Sequence, residues 1–137
     1  MQLRSENKQS AAKPAWPPQL EMRVPFEPTA FPSGPHIYVM YELHLTNFGT
    51  SPVALDRIEV LDADAEAAQP IATFEVQQLE TMLQPLGGKT LSDSRGRLLI
   101  GDGQSAIAFM SIVLARGSHV PDRLCHRVRT ADSVAEA

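Results

Sequence analysis

Apolar and polar residues alternate most regularly between positions 37 and 47 of the chain. The two sets are Val39, Tyr41, Leu43 and Leu45 on one side, and Met40, Glu42, His44 and Thr46 on the other. Because successive side chains of a strand point to opposite faces, this pattern predicts a β-strand with one buried face. Turn-forming residues fill positions 47–52, which predicts that the strand ends there and that the chain returns in a hairpin-like manner.

Shorter segments with strand-like patterns follow this one along the chain. They cover residues 53–61, 71–74, 97–100, 105–114 and 124–128. In the first of them, Ile58 and Val60 are predicted to point inward. The segment 105–114 is apolar on both faces, with Phe109 and Val113 on one of them, and a strand of that kind is expected to be central or covered on both sides.

One segment has a helical period instead. Its apolar residues are spaced three, four and three positions apart: Val76, Leu79, Leu83 and Leu86. This spacing stacks them along one stripe and predicts a single short helix near 76–86. Gly87 and Gly88 follow, and glycine often supplies the left-handed conformation that closes a helix.

Together these elements predict a mainly β fold, namely a small antiparallel β-sandwich with Greek-key, immunoglobulin-like connections and one short helix near 76–86. A small open barrel is the competing architecture.

Prolines crowd residues 1–35, which are therefore predicted to form a flexible Pro-rich segment in which 22–24 can still pair at a sheet edge. The β-sandwich domain is predicted to span 36–130, and 131–137 to be a tail.

Composition restricts the partners that this domain can have. The 137 residues carry a formal net charge of -4, whereas nucleic-acid binding depends on clustered lysine and arginine, so nucleic acid is not expected as a partner. No apolar run approaches the length that crosses a bilayer, so the sequence predicts no membrane span and shows no signal peptide. The single cysteine, Cys125, has no second thiol for a disulfide or a redox pair.

The residues that could carry chemistry do not form a recognisable site. The four histidines are His36, His44, His119 and His126, and none has a partner at metal-ligand spacing. The acidic run 62–66 imitates a calcium loop but has Ala67 where that loop requires glycine. Cys125 and His126 are neighbours in a predicted strand and point to opposite faces, so a buried structural thiol is the better interpretation. The sequence therefore predicts no catalytic residues, no metal site and no cofactor.

Two functional alternatives remain open from the residues alone. An enzyme could assemble a site from distant residues such as His44, Glu42 and Asp102, although no pattern singles these three out. A binding module could dock a protein partner through an exposed strand edge or the Pro-rich segment. The candidate partner contacts are Trp16, Phe31, Met40 and His44.

Four ordered stretches of the chain resemble a known protein family. They read PFEPTAF (25–31), YVMYELHLTNF (38–48), LDRIEVLDAD (55–64) and VPDRLCHRV (120–128). They are similar to the amino-terminal region of a group of bacterial M23-type (LytM-like) zinc metallopeptidases, and together they cover most of residues 25–130.

The resemblance implies an accessory role. In that family a peptidase domain follows this region and supplies the zinc site, through a histidine and an aspartate of one motif and a later His-x-His. No residue of this chain matches those ligands. The expectation is a non-catalytic accessory domain, not an enzyme, associated with the bacterial cell envelope or periplasm and acting with a downstream peptidase domain or another protein. The alternative is a freestanding protein-binding β-sandwich module.

Overall fold

A computed structural model of the chain describes residues 19–66, 69–87, 98–131 and 134–136. Within these residues the elements follow in the order β1 (Leu20–Arg23), β2 (Thr29–Ser33), β3 (His36–Asn47), β4 (Val53–Asp62), β5 (Pro70–Glu75), α1 (Val76–Met82), β6 (Leu83–Pro85), β7 (Leu98–Ile100), β8 (Ser105–Ala115), β9 (Leu124–Thr130) and β10 (Val134–Glu136).

The strands form two antiparallel sheets. The first sheet has the order β1, β3, β8, β6, and β2 pairs with β3 on the same side as β1. The second has the order β10, β9, β4, β5, and β7 also pairs with β4. The apolar faces of the two sheets pack against each other, which confirms the predicted small antiparallel β-sandwich.

Strand β3 is at the centre of the first sheet, and its alternation decides which face is buried. The predicted inward residues are all buried, and Leu43 and Leu45 are 1% and 0% exposed. Opposite them in the second sheet, Ile58 and Val60 of β4 are both 0% exposed, as predicted. Burying these side chains removes apolar surface from water, which is the main force that holds the sheets together.

The turn after β3 differs from the prediction. It does not form a hairpin, because β3 belongs to the first sheet and β4 to the second. The buried side chain of Asn47 holds this crossing: its amide nitrogen donates to the carbonyl oxygens of Ser51 and Ile100, both at 2.9 Å. Its amide oxygen accepts from the backbone N–H of Gly49 at 2.8 Å.

The predicted helix near 76–86 is confirmed only in its first part. Helix α1 begins after Glu75, whose backbone N–H donates to the side-chain oxygen of Gln78 at 2.7 Å, and it buries Leu79. It ends at Met82, and the residues that follow form β6, which pairs with β8. The prediction failed there because Pro85 has no N–H to donate and disfavours a helical conformation at the residue before it.

The sheets also include residues outside the predicted domain limits of 36–130. Strands β1 and β2 lie within the segment 1–35, and both pair with β3. Of the residues 22–24 that were predicted to pair at a sheet edge, Met22 and Arg23 do so, and Val24 lies beyond the end of β1. Strand β10 lies within the segment 131–137 and pairs with β9.

Candidate functional site

Strand β8 is paired along its whole length on one side only. Residues from Ser105 to Ala115 pair with β3, whereas on the other side β6 pairs only with residues 106–108. Within the described residues, no strand pairs with 109–115 on that second side. Among the residues that the structure describes, the first sheet therefore has an open edge seven residues long, which we call the β8 edge.

The hydrogen bonds at the start of β8 show which backbone groups this edge presents. The N–H of Leu86 beside β6 donates to the carbonyl oxygen of Ser105 at 3.0 Å. Backbone groups alternate in direction along a strand, so the odd-numbered residues point towards the β6 side and the even-numbered ones bond to β3. The N–H and C=O groups of Ser111 and Val113 consequently point outward from the β8 edge, whereas the N–H of Phe109 faces the carbonyl group of Met82 beside the Leu83–Ala108 pair.

The β8 edge lacks the features that usually protect an edge strand. Natural edges are blocked by proline, by charged side chains or by bulges. Strand β2, at the opposite side of the sheet, contains Pro32 and follows Pro28. Residues 109–114 contain neither a proline nor a charged residue.

The outer face of the first sheet next to this edge has several exposed apolar side chains, and Glu42 lies opposite Phe109 on it. Phe109 and Val113 of β8 are 49% and 51% exposed, and Met40 of β3 is 47% exposed. Phe31 of β2, 40% exposed, stacks on Tyr38 with ring centroids 5.8 Å apart. The prediction was that β8 is central or covered on both sides. The strand lies between β3 and β6 in the first sheet, but nothing in the described residues covers the apolar side chains on its outer face.

The outer face of the second sheet has the opposite character. Arg57 of β4 pairs with Glu75 of β5 at 2.9 Å, and Arg127 of β9 pairs with Glu59 of β4 at 3.2 Å. Cross-strand ion pairs of this kind suit a face that is in contact with water. Of the two outer faces, the one bordered by the β8 edge is the better candidate for a protein-binding surface.

The hypothetical dispersed enzyme site consists of three residues, of which the structure pairs only His44 and Glu42. His44 is half-buried, and its Nε2 atom lies 2.8 Å from Oε1 of Glu42, two residues earlier on the same face of β3. Asp102 lies in the turn between β7 and β8. Within the described residues it has no hydrogen bond to His44 or to Glu42. His44 and Glu42 form a local pair on the outer face rather than part of a triad.

The acidic turn after β4 is partly neutralised by basic side chains. The Arg123 guanidinium lies 2.6 Å from a carboxylate oxygen of Asp64 and holds the pKa of that carboxyl below its usual range. His119 lies 3.7 Å from Asp62. In the described part of the chain, no group of three histidine, cysteine, aspartate or glutamate residues is placed to hold a metal ion.

A cleft of about 670 Å³ opens between the two sheets at the end that contains this turn. Most of its lining is apolar: Val24, Val39, Ile71, Ile112, Val120 and Leu124. The exposed residues Glu27, Asp122 and Arg123 stand at its rim. Clefts of this size and polarity are typical of small-molecule sites.

Two buried polar side chains, Tyr41 of β3 and His126 of β9, form the floor of this cleft. They are 8% and 5% exposed, and the hydroxyl oxygen of Tyr41 lies 2.7 Å from Nε2 of His126. Burial lowers the pKa of His126 to about 4 and raises the pKa of Tyr41 above its ordinary value. Both side chains are therefore uncharged at neutral pH. Cys125 beside them is half-buried, less so than the structural thiol predicted for it.

Sequence reasoning did not find this pair. Tyr41 and His126 are 85 positions apart, and each was considered alone. A signal was available, because Leu124, His126 and Val128 alternate along one strand and so place His126 on the buried face. A polar residue on a buried face requires a partner, and Tyr41 is the residue with a polar group among those that the alternation at positions 39–45 places inward.

Of the predicted partner contacts, Phe31 and Met40 lie on the exposed outer face of the first sheet. His44 lies on the same face in its pair with Glu42, and Trp16 lies outside the described residues.

No helix in the described residues is long and apolar enough to cross a membrane. Comparison of the sequence with models of known protein families found no match. Comparison with curated protein sequences found none either.

Proposed function

We propose that this chain is a non-catalytic accessory domain that binds a protein partner by adding one of the partner's strands to the β8 edge. The observation that carries the proposal is the open, uncharged run of residues 109–115 beside an exposed apolar face. Strand addition of this kind uses backbone hydrogen bonds for affinity and alternate side chains for specificity.

The chemistry of the edge restricts the partner segment. Ser111 and Val113 each offer one outward donor and one outward acceptor, which suits a short extended segment. Their side chains lie on the apolar outer face, so the partner strand should be uncharged and should place apolar side chains on that same face. A proline inside the partner segment would remove a ladder hydrogen bond.

The family resemblance supplies the candidate for this partner. An amino-terminal region of M23-type proteins acts beside a peptidase domain, so we propose an extended segment of such a domain as the added strand. We propose further that the sandwich is immunoglobulin-like and that it acts at the bacterial cell envelope, as the resemblance implies. A freestanding module would use the same edge for a different protein.

Ser111→Pro is expected to weaken binding of a separately produced M23-type peptidase domain by at least about tenfold, because it removes one outward N–H and places a ring in the interface. The N–H of Ser111 points away from β3, so the substitution breaks no bond that the sheet already makes. Ser111→Ala is the matched control, since it keeps the N–H and should bind like the natural chain. Isothermal titration calorimetry measures all three affinities, and circular dichroism checks the fold.

Each other result of this experiment has a clear meaning. Equal affinity of Ser111→Pro and Ser111→Ala would remove the β8 edge from the proposal. No binding of the peptidase domain to the natural chain would remove that partner. If sedimentation shows a dimer that Ser111→Pro converts to monomers, the edge pairs with a second copy of this chain, which also contradicts the proposal.

The non-catalytic part of the proposal is tested separately. After incubation with equimolar zinc and removal of free metal, the purified chain is expected to retain far less than one zinc per molecule by mass spectrometry. It is also expected to release no soluble fragments from peptidoglycan, because no residue matches the zinc ligands of the peptidases that it resembles. Stoichiometric zinc or measurable hydrolysis would contradict a purely accessory role.

A further inference from the structure

We infer that the cleft between the two sheets is a binding site for an uncharged, mainly apolar small molecule that carries a hydroxyl group. This site is separate from the β8 edge, and it goes beyond the strand addition proposed above. The inference comes from three features of the cleft: its apolar walls, the hydrogen-bonding capacity left on its floor, and the charges at its rim.

The walls select an apolar ligand body. Val39 and Ile112 of the first sheet line the cleft together with Ile71 and Leu124 of the second, so a ligand between them touches aliphatic side chains on both sides. Burying apolar ligand surface there is favourable in proportion to the area removed from water. The volume of about 670 Å³ accommodates a molecule of the usual cofactor or metabolite size.

The floor has a hydrogen-bonding group that the protein does not use fully. Among the described residues, the only hydrogen-bond partner of the His126 ring is the Tyr41 hydroxyl, 2.7 Å from Nε2. If the Tyr41 hydroxyl donates to Nε2, its oxygen lone pairs remain free to accept. If instead Nε2–H donates to the Tyr41 oxygen, the hydroxyl proton remains free to donate. A ligand hydroxyl can complete either arrangement, because it is both donor and acceptor.

The electrostatics argue against a charged ligand group. Tyr41 and His126 are both neutral at physiological pH, so a charge placed on the floor would lose its hydration without gaining a counter-charge. At the rim, Glu27 and Asp122 are acidic, and Arg123 is already paired with Asp64 at 2.6 Å. Carboxylates and phosphates are therefore repelled at the entrance as well as disfavoured inside.

The test uses three straight-chain eight-carbon probes with different head groups: 1-octanol, octanoate and octylamine. Each is titrated into the isotope-labelled full chain at pH 7.5, and backbone amide shifts are followed. We expect saturable binding of 1-octanol with shifts in residues 24–30 and 120–126, and about tenfold weaker binding of octanoate and octylamine. Tighter binding of either charged probe, or no saturable binding of 1-octanol, would overturn the inference.

A matched pair of variants assigns the head-group contact. The chain has two tyrosines, Tyr41 on the floor of the cleft and Tyr38 on the outer face of the same strand. Tyr41→Phe should lower the affinity for 1-octanol about fivefold through loss of one hydrogen bond, and Tyr38→Phe should leave it unchanged. Equal effects of the two variants would overturn the assignment. If Tyr41→Phe does not fold, the imidazole nitrogen shifts of His126 in the natural chain decide it: a change on adding 1-octanol supports the contact, and no change contradicts it.

Discussion

Asn47→Ala is expected to lower the free energy of unfolding by about 3 kcal/mol, since each buried hydrogen-bonding group left without a partner costs about 1–3 kcal/mol. The natural side chain is 0% exposed and makes three hydrogen bonds, two as donor and one as acceptor. One of them joins the end of β3 in the first sheet to the carbonyl of Ile100 in the second. The variant therefore loses a connection between the sheets as well as the local turn.

Two further variants distinguish this role from general damage at the end of the strand. Asn47→Asp has almost the same shape but puts an oxygen opposite the carbonyl oxygens of Ser51 and Ile100, so it should destabilise more than the alanine variant. Thr46→Ala removes one half-buried hydrogen bond, from Thr46 to Ser105 at 2.8 Å, and should cost only about 1 kcal/mol. Urea denaturation of the three variants gives the comparison. A loss for Asn47→Ala no larger than that for Thr46→Ala would contradict the role of Asn47.

Acid is expected to destabilise the domain well before its carboxylates become protonated. The pKa of His126 is about 4 in the folded protein, compared with 6.5 for a free histidine, because burial disfavours the charged ring. Between these values the unfolded chain binds a proton that the folded chain does not, so unfolding becomes easier as pH falls. From pH 7.5 to 4.5 the loss amounts to about 2–3 kcal/mol.

The measurement is the free energy of unfolding in urea at half-unit steps between pH 7.5 and 4.5. His126→Gln is the control, because glutamine can still hydrogen-bond to Tyr41 but does not titrate. The natural chain should lose stability over this range, and the variant should have a much flatter profile. Parallel profiles for the two proteins would show that His126 is not the group responsible.

The parts of the fold that were predictable from sequence are those with strong local periodicity. The alternation of β3 identified its buried face residue by residue. A shift of the pairing by one residue would have moved Leu43 and Leu45 to the exposed face, so the pattern allows one register only. The same signal located Ile58 and Val60 in β4. The end of α1 was missed because Leu83 suits both the helical stripe and a strand, and Pro85 decided between them.

The features that matter for function were less accessible, since they depend on contacts between distant segments. That β8 lies at an open edge follows from the shortness of β6, which pairs with only three of its residues. The sequence predicted that β8 is central or covered on both sides, and the exposure of Phe109 and Val113 on its outer face is the strongest indication of a binding surface. Apolar side chains that are exposed where burial would be expected are often found at functional sites.

The most direct test of strand addition is amide hydrogen exchange of β8 in the free chain and in the complex with the peptidase domain. In the free chain, the amides of Ser111 and Val113 should exchange quickly, whereas those of Met110 and Ile112, which point towards β3, should exchange slowly. Saturation with the partner should slow exchange at Ser111 and Val113 at least about tenfold, because each gains a ladder hydrogen bond. Unchanged exchange at these two amides in a saturated complex would contradict the account.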